Sequence, residues 1–247
     1  MSARTDARAA RLALERLLET NAAPSIGDET IDRLERYAGL LLAANERLNL
    51  TRVVEPDAVA RLHLLDALAA LPLLDALEPQ LALDLGSGGG VPGIVLAIAR
   101  PPIRWLLVDA ASRKVAALRA FATELELTNV EAVADRAELI ARDPAHRERY
   151  DLVTARACAG LPVLVEYALP LLRIGGQLVA WKGRIGADEL AAGTAAAEQL
   201  GGGPPVVRDP EIGPLGDHRF VLVGKTSPTP DPFPRRPGVA SRRPLGG

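Results

Sequence analysis

The stretch LDLGSGGGVPGI, residues 83–94, carries five glycines in twelve positions directly behind an apolar run. So much bare backbone between a strand and a helix serves a turn, or lets N–H groups approach a ligand with no side chain in the way. Two patterns overlap here. Gly88, Gly90 and Gly93 spell G-x-G-x-x-G, the dinucleotide fingerprint. Asp84, Gly86, Gly88 and Gly90 spell D-x-G-x-G-x-G, the pattern of a loop for S-adenosylmethionine. The bland reading is a tight turn ahead of a helix cap.

The rest of the chain bears on the choice. Residues 5–20 and 28–48 read as amphipathic helices. In the second, Ile31, Leu34, Tyr37, Ala38, Leu41, Leu42 and Leu48 keep the three-four spacing of one buried face, with Asp28 as N-cap. A third helix over 57–71 is expected to end at Pro72. From Leu81 the rhythm changes. Strands at 81–86, 104–109, 129–134, 150–155 and 176–182 alternate with helices near 92–99, 111–126, 161–172 and 186–200, as in a parallel sheet covered on both faces. Two further strands, 205–210 and 218–225, are separated only by EIGPLGD, too short for a parallel crossover. They form a hairpin, so the sheet ends with an antiparallel strand.

In a dinucleotide site the first glycine closes the strand and the following helix points its dipole at the pyrophosphate. Here Gly88 falls beyond the expected strand end, and Pro92 takes the first-turn position. The register that starts at Asp84 and Gly86 fits the strand better. S-adenosylmethionine has no phosphate, so its loop needs close approach to an amino-acid moiety instead. Asp109 ends the second strand, where a carboxylate can accept both ribose hydroxyls in either kind of site. The antiparallel last strand is expected of the methyltransferase sheet and favours the methyl donor. The reading is an α/β class I S-adenosylmethionine-dependent methyltransferase fold with seven strands over residues 73–225. A helical extension covers 1–72, and a basic Pro-rich tail, 226–247, is expected to be extended or disordered.

Composition narrows the functions. A chain of 247 residues can bury a proper core. No run reaches the roughly 18 apolar residues of a membrane span, and the N-terminus has no signal-peptide pattern. Cys158 is the single cysteine, which excludes a disulfide framework and suits a reducing cytoplasm. His63, His146 and His218 lack ligand-like spacing, so no metal is expected. The net charge of −2 does not suggest a nucleic-acid binder, but from Phe233 onward there are four arginines and no acid. The body is therefore mildly acidic and the tail basic. The excess of arginine over lysine reads as codon bias. Aromatic residues make up 3%, which speaks against a base-stacking platform, and Trp105 and Phe121 are expected in the core.

What the site lacks is also informative. After the fourth strand stands TARACAG, where amino-methylating enzymes carry an N/D-P-P-aromatic box. Cys158 has no preceding proline and no second cysteine, so it reads as a small packed residue rather than a covalent nucleophile. No general base stands out. That suits an acceptor with a free lone pair, such as guanine N7, for which alignment and charge stabilisation supply the catalysis.

NERLNLTRV (45–53), RLHLLDAL (61–68), LDLGSGGGVPGI (83–94), DRAEL (135–139), DLVTARA (151–157), AWKG (180–183) and PFPRRPGVASRRPL (232–245) stand in the order seen in the RsmG family. The chain resembles these bacterial guanine-N7 methyltransferases of small-subunit (16S) ribosomal RNA, also called glucose-inhibited division protein B, over nearly its whole length. Val95 and Ala67 depart from a frequent proline and a frequent serine. The resemblance implies that Gly86 and Val91 line the methionine end of the cofactor, with Gly88 and Gly90 in the same loop. It also implies that Ala137 and Glu138 flank the adenine and that Arg156 reaches the cofactor near its reactive methyl. Arg156 follows a buried strand, where an unpaired charge is costly. It either bridges to an acid such as Asp84 or Glu138, or serves as the catalytic cation on cofactor or base. His63 and Asp66 read as a local pair on the third helix, with help in closing the site as the lesser reading and no catalytic role. Lys182, Arg235, Arg236, Arg242 and Arg243 are expected to meet RNA phosphates, and loss of the tail is expected to leave cofactor affinity unchanged. The expected partner is small-subunit ribosomal RNA or a partly assembled subunit, bound by a cytoplasmic monomer. The alternatives are a methyltransferase for another RNA or a small molecule, and an RNA-binding assembly factor without turnover.

Overall fold

The computed structural model describes residues 2–20 and 23–246. Met1 and Gly247, the outer ends of the extension and of the tail, lie outside the described residues, as do Asn21 and Ala22. The extension begins with α1 (Ala3–Thr20) and α2 (Asp28–Leu48), whose expected apolar face is buried. Gly27, not Asp28, is the N-cap, and Asp28 sits in the first turn, where a carboxylate favours the helix dipole. The third helix is not uniform. α3 (Pro56–Val59) passes through a π-helical segment, Ala60–Leu65, into α4 (Asp66–Leu68). Pro72 does not end it but lies in the first turn of α5 (Leu71–Leu77), where its missing N–H costs nothing.

Five strands run parallel: β1 (Leu81–Leu85), β2 (Arg104–Asp109), β3 (Val130–Ala134), β4 (Tyr150–Arg156) and β5 (Leu172–Lys182). Between them lie α6 (Gly93–Ala99), α7 (Ser112–Glu124), α8 (Ala137–Ile140) and α9 (Leu161–Ala168), and α10 (Ala187–Gln199) follows β5. The hairpin forms from β6 (Val206–Arg208) and β7 (Arg219–Gly224). In the order β3-β2-β1-β4-β5-β7-β6, the antiparallel β7 inserts beside β5 and leaves β6 at the edge. The burial explains it: FVLV of β7 is buried, while β6 is short and exposed.

One sheet face and the extension share a core, in which Leu14, Leu34, Tyr37, Leu41 and Leu64 pack with Val95, Leu107, Leu152 and Val179. The opposite face packs Leu83, Val153 and Leu178 against Leu164 and Val165 of α9 and Ala196 of α10. The C-terminal segment departs from expectation. It is neither extended nor disordered but folds back on the body, ends in α11 (Val239–Arg242) and buries Ala240. Arg147 donates to Phe233 O at 2.8 Å and Thr229 O at 2.9 Å, and Thr229 N–H donates to Glu148 at 2.7 Å. Buried Lys225 at the end of β7 donates to Leu169 O and to Thr229 Oγ1. These polar ties substitute for the apolar periodicity the segment lacks.

Candidate active site

The loop after β1 needs its glycines. Gly86 has φ 68° and Gly90 φ 104°, conformations that side chains rarely adopt, and a Cβ on Gly86 would run into Cys158 Sγ. The N–H groups of Gly86 and Ser87 donate to Val108 O at 2.8 and 3.0 Å, which ties the loop to β2. Asp109 holds the loop's far side, accepting from Gly88 N–H at 3.0 Å and from Ala111 N–H at 2.9 Å on separate oxygens. Each oxygen keeps a second lone pair for a ligand. From the extension, buried Tyr37 donates its hydroxyl to Gly89 O at 2.9 Å. Beneath the loop Asp84 is fully buried. Its Oδ1 accepts from Thr154 at 2.7 Å, and Oδ2 lies beside Gly93 at the start of α6. Burial pushes its pKa up to about 6, with the Thr154 hydroxyl working against the shift.

Two cavities open at the C-terminal ends of the strands. The first, about 160 Å³, is lined by Leu85, Gly86, Asp109, Ala137, Glu138 and Tyr167. The second, about 330 Å³, is lined by Asp66, Arg156, Trp181, Lys182 and His218. Cys158 borders both. Ala157, at φ 53°, turns the chain after β4 and sets Cys158 against Gly86. Although Cys158 reaches solvent in part, burial of its thiol, with Asp84 and Asp109 nearby, pushes the pKa up to about 11. It is no thiolate nucleophile at neutral pH. A larger concavity of about 650 Å³ lies between α1 and α2, away from the glycine loop.

The first cavity suits S-adenosylmethionine. Asp109 lines it with a carboxylate that could accept from a ribose diol, Gly86 leaves the backbone open, and Leu85, Val108 and Ala110 offer apolar surface for a base. Glu138, 2% exposed, accepts at Oε1 from Arg136 (3.0 Å) and from Gly238 N–H (2.7 Å). Burial raises its carboxyl pKa, but these donors outweigh that and hold it below the usual range.

Arg156 ends β4 and its guanidinium reaches the π-helical segment. It donates to Leu62 O at 2.5 Å, Asp66 Oδ2 at 2.9 Å and His63 Nδ1 at 3.0 Å. The bridging acid is thus Asp66, not Asp84 or Glu138. Arg156 can only donate, so His63 Nδ1 accepts from it in the tautomer that donates from Nε2 to Thr51 Oγ1, 2.8 Å away; in the other tautomer Nδ1–H donates to Leu62 O at 3.2 Å. The imidazole is neutral, and burial followed by Arg156 lowers its pKa to about 4. Asp66 also accepts from His218 Nδ1 at 2.8 Å, and this hydrogen bond raises the His218 pKa. His63 and Asp66 therefore meet through Arg156 rather than as a local pair.

The structure gathers some expected site residues and disperses others. Gly86, Asp109, Ala137 and Glu138 share one cavity; Arg156 and Lys182 share the other. Gly88 and Gly90 shape the loop but line neither cavity, and Val91 is buried in the core. Lys182 is not a free phosphate contact, since its ammonium lies 2.7 Å from Glu189 and donates to Ala159 O at 3.1 Å. Arg235 forks onto Glu166, Nε and Nη2 lying 2.9 and 2.5 Å from its oxygens, because a fully buried carboxylate demands a partner. Arg236, Arg242 and Arg243 remain exposed. Sequence reading missed Trp181, whose indole donates to Asp66 O at 2.9 Å, and also His218, Tyr167 and Glu166. It also missed that His218, paired with Asp66, supplies a possible base. AWKG was a local signal for Trp181, and the lone acid in LPVLVEYA was one for Glu166; His218 and Tyr167 depend on contacts far apart in sequence.

Fold and site together define a class I S-adenosylmethionine-dependent methyltransferase. A putative O-methyltransferase from Klebsiella pneumoniae shares this fold, with a TM-score of 0.53 at 18% identity over 86% of this chain and 96% of that one. The family model described as rRNA small subunit methyltransferase G matches residues 30–207. The Ribosomal RNA small subunit methyltransferase G of Rubrobacter xylanophilus is 41% identical, covering 97% of this chain and 93% of that protein. Its counterpart in Chloroflexus aggregans is 43% identical, covering 93% and 97%. The chain belongs to the rRNA small subunit methyltransferase G family.

Proposed function

We propose that this protein methylates N7 of a guanine in 16S ribosomal RNA, with S-adenosylmethionine as donor. It acts as a cytoplasmic monomer on the RNA or on a partly assembled small subunit. The observation that carries the reading is the pair of cavities meeting at Cys158, one equipped for a nucleoside and the other walled by Trp181 and Arg156. When bound, the cofactor supplies a methyl group on a sulfonium cation. Asp109 would hold the ribose diol and Glu138 would accept from the adenine amine, with Asp84 buried beneath the glycine loop. In the second cavity Trp181 offers a wall for the purine, and Arg156 fixes the floor by tying β4 to the π-helical segment. A guanine N7 offers a lone pair and has no proton to lose, so the protein's own residues would have to align the two ligands but would need to supply no base. His218, bound to Asp66, orients the base in this scheme rather than accepting a proton.

The test is transfer of labelled methyl to 16S RNA and to small subunits, with the modified nucleoside identified by mass spectrometry, in the wild type and in His218→Gln. Label as 7-methylguanosine, and turnover of the variant within about tenfold, support the reading. An acceptor that must be deprotonated predicts label on another atom and a loss on the order of 10²–10⁴ in the variant. That result would overturn the N7 assignment.

A further inference from the structure

The C-terminal segment bonds to two side chains that line the smaller cavity, Gly238 to Glu138 and Ser241 to Tyr167. Gly238 N–H donates to Glu138 Oε1 at 2.7 Å, Arg136 donates to the same oxygen at 3.0 Å, and the Tyr167 hydroxyl also bonds the carboxylate. Glu138 is the second residue of α8, a helix of one turn, so its own element is short. Gly238 is held in turn. It takes φ 77°, a conformation that suits glycine, and lies three residues beyond Arg235. Arg235 is locked to Glu166 of α9 by its backbone N–H at 2.8 Å and by two guanidinium nitrogens, and its Nη2 also donates to Arg243 O at 2.8 Å. Glu166 is 0% exposed, so this lock sits on the core. A chain of contacts therefore runs from the core through Arg235 and Gly238 to the carboxylate on the cavity wall.

We infer that the C-terminal segment is a positioning strap for the cofactor site, which fixes Glu138 for recognition of the adenine amine through the Arg235–Glu166 lock and the Gly238 N–H. This rests on the reading that the smaller cavity holds S-adenosylmethionine. It replaces the expectation that the tail has no part in cofactor affinity. Gly238 and Arg235 are positioning residues and touch no cofactor atom. The strap selects an amino group over a keto group at purine position 6, because a carboxylate accepts from the first and repels the oxygen of the second.

The experiment compares, by calorimetry on the full chain, the affinity for S-adenosylhomocysteine with that for its inosine analogue, which carries oxygen in place of the 6-amino group. Gly238→Val forces a β-branched residue into the left-handed region and draws the N–H away from Glu138. Arg235→Lys keeps the charge but loses the fork. The wild type should prefer the amino ligand. Gly238→Val should lose about 5–30-fold of that preference and Arg235→Lys about 2–5-fold, with affinity for the inosine analogue little changed and circular dichroism native. If Gly238→Val does not fold, Arg235→Lys carries the test alone. A general loosening of the protein would weaken both ligands equally and would overturn the strap. Glu138→Ala separates the two levels of argument. If it loses the preference while both strap variants keep it, the strap fails alone. If it keeps the preference, or the wild type binds neither ligand, the cavity reading fails and takes the strap with it.

Discussion

Replacing Arg156 by alanine removes the tie between β4 and the π-helical segment. Three bonds disappear, to Leu62 O, Asp66 and His63, and Asp66 is left with the His218 imidazole as its side-chain partner. Breaking a buried ion pair from one side costs about 3–5 kcal/mol. The Arg156 side chain is 21% exposed against 2% for Asp66, and His218 still occupies Oδ1, so the figure here falls to about 2–4 kcal/mol. Urea unfolding followed by tryptophan fluorescence measures it, since Trp181 bonds the Asp66 carbonyl. A double-mutant cycle with Asp66→Asn should return a coupling of about 1–3 kcal/mol. Arg156→Lys should recover little, because one ammonium cannot reach three acceptors set around a planar fork. Turnover should fall with stability, since the same bonds shape the second cavity. A loss below about 1 kcal/mol with no coupling to Asp66 would refute the tie, leaving Arg156 free to act on cofactor or base.

Asp109→Ala removes the acceptor for two backbone N–H groups and for the ribose diol, and should weaken cofactor binding by about 1–3 kcal/mol in a calorimetric titration. An unchanged affinity with an intact fold removes Asp109 from the site. The pH dependence of stability sets two buried groups against each other. Asp84, raised to about 6, contributes stability below the ordinary carboxylate range that is lost as pH rises through 6; His63, lowered to about 4, contributes stability above the ordinary histidine value that is lost as pH falls toward 4. Between pH 4 and 6 they offset one another. Asp84→Asn should therefore lose up to about 1.4 kcal/mol per pH unit more than the wild type on acidification in that window, and equal losses would show that Asp84 titrates normally. Exposed Arg236, Arg242 and Arg243 are the tail's remaining candidates for RNA phosphates. Changing all three to alanine should flatten the slope of log affinity for 16S RNA against log salt by up to about 2–3, whereas an identical slope assigns the contact elsewhere.

The alternation of strands and helices was legible because burial on both faces leaves continuous apolar runs, as in LALDL and RWLLVD, that need no knowledge of partners. The hairpin followed from the shortness of EIGPLGD alone, yet nothing in that loop says that β7 inserts beside β5; the apolar FVLV against the exposed VVR of β6 decides it. In the site, the glycine loop and Asp109 were readable as local turn chemistry at strand ends. The second cavity was not. It is assembled from Asp66, Arg156, Trp181 and His218, which stand on the extension, β4, β5 and the residue before β7, and Asp66 and His218 meet across 152 positions. The π-helical segment was equally hidden, since its residues keep the helical spacing expected of an ordinary α-helix.

The tail shows the same limit in its sharpest form. Proline, glycine and arginine without periodicity describe a chain that cannot bury an apolar face, and from that alone disorder follows. The segment is ordered by another route. Arg235 meets Glu166 across 69 positions and Gly238 meets Glu138 across 100, each bond satisfying a carboxylate already buried by the body of the protein. A buried acid is costly until paired, so the drive to order the tail resides in α8 and α9 rather than in the tail. Glu166 in LPVLVEYA was the visible sign, a lone charge within an otherwise apolar helix. Such a residue asks for a partner, and the densest acid-free basic stretch of the chain stood ready to supply it. The arginines that read as a surface for RNA thus divide by burial of what faces them: Arg235 closes the fold, and the exposed three remain for the substrate.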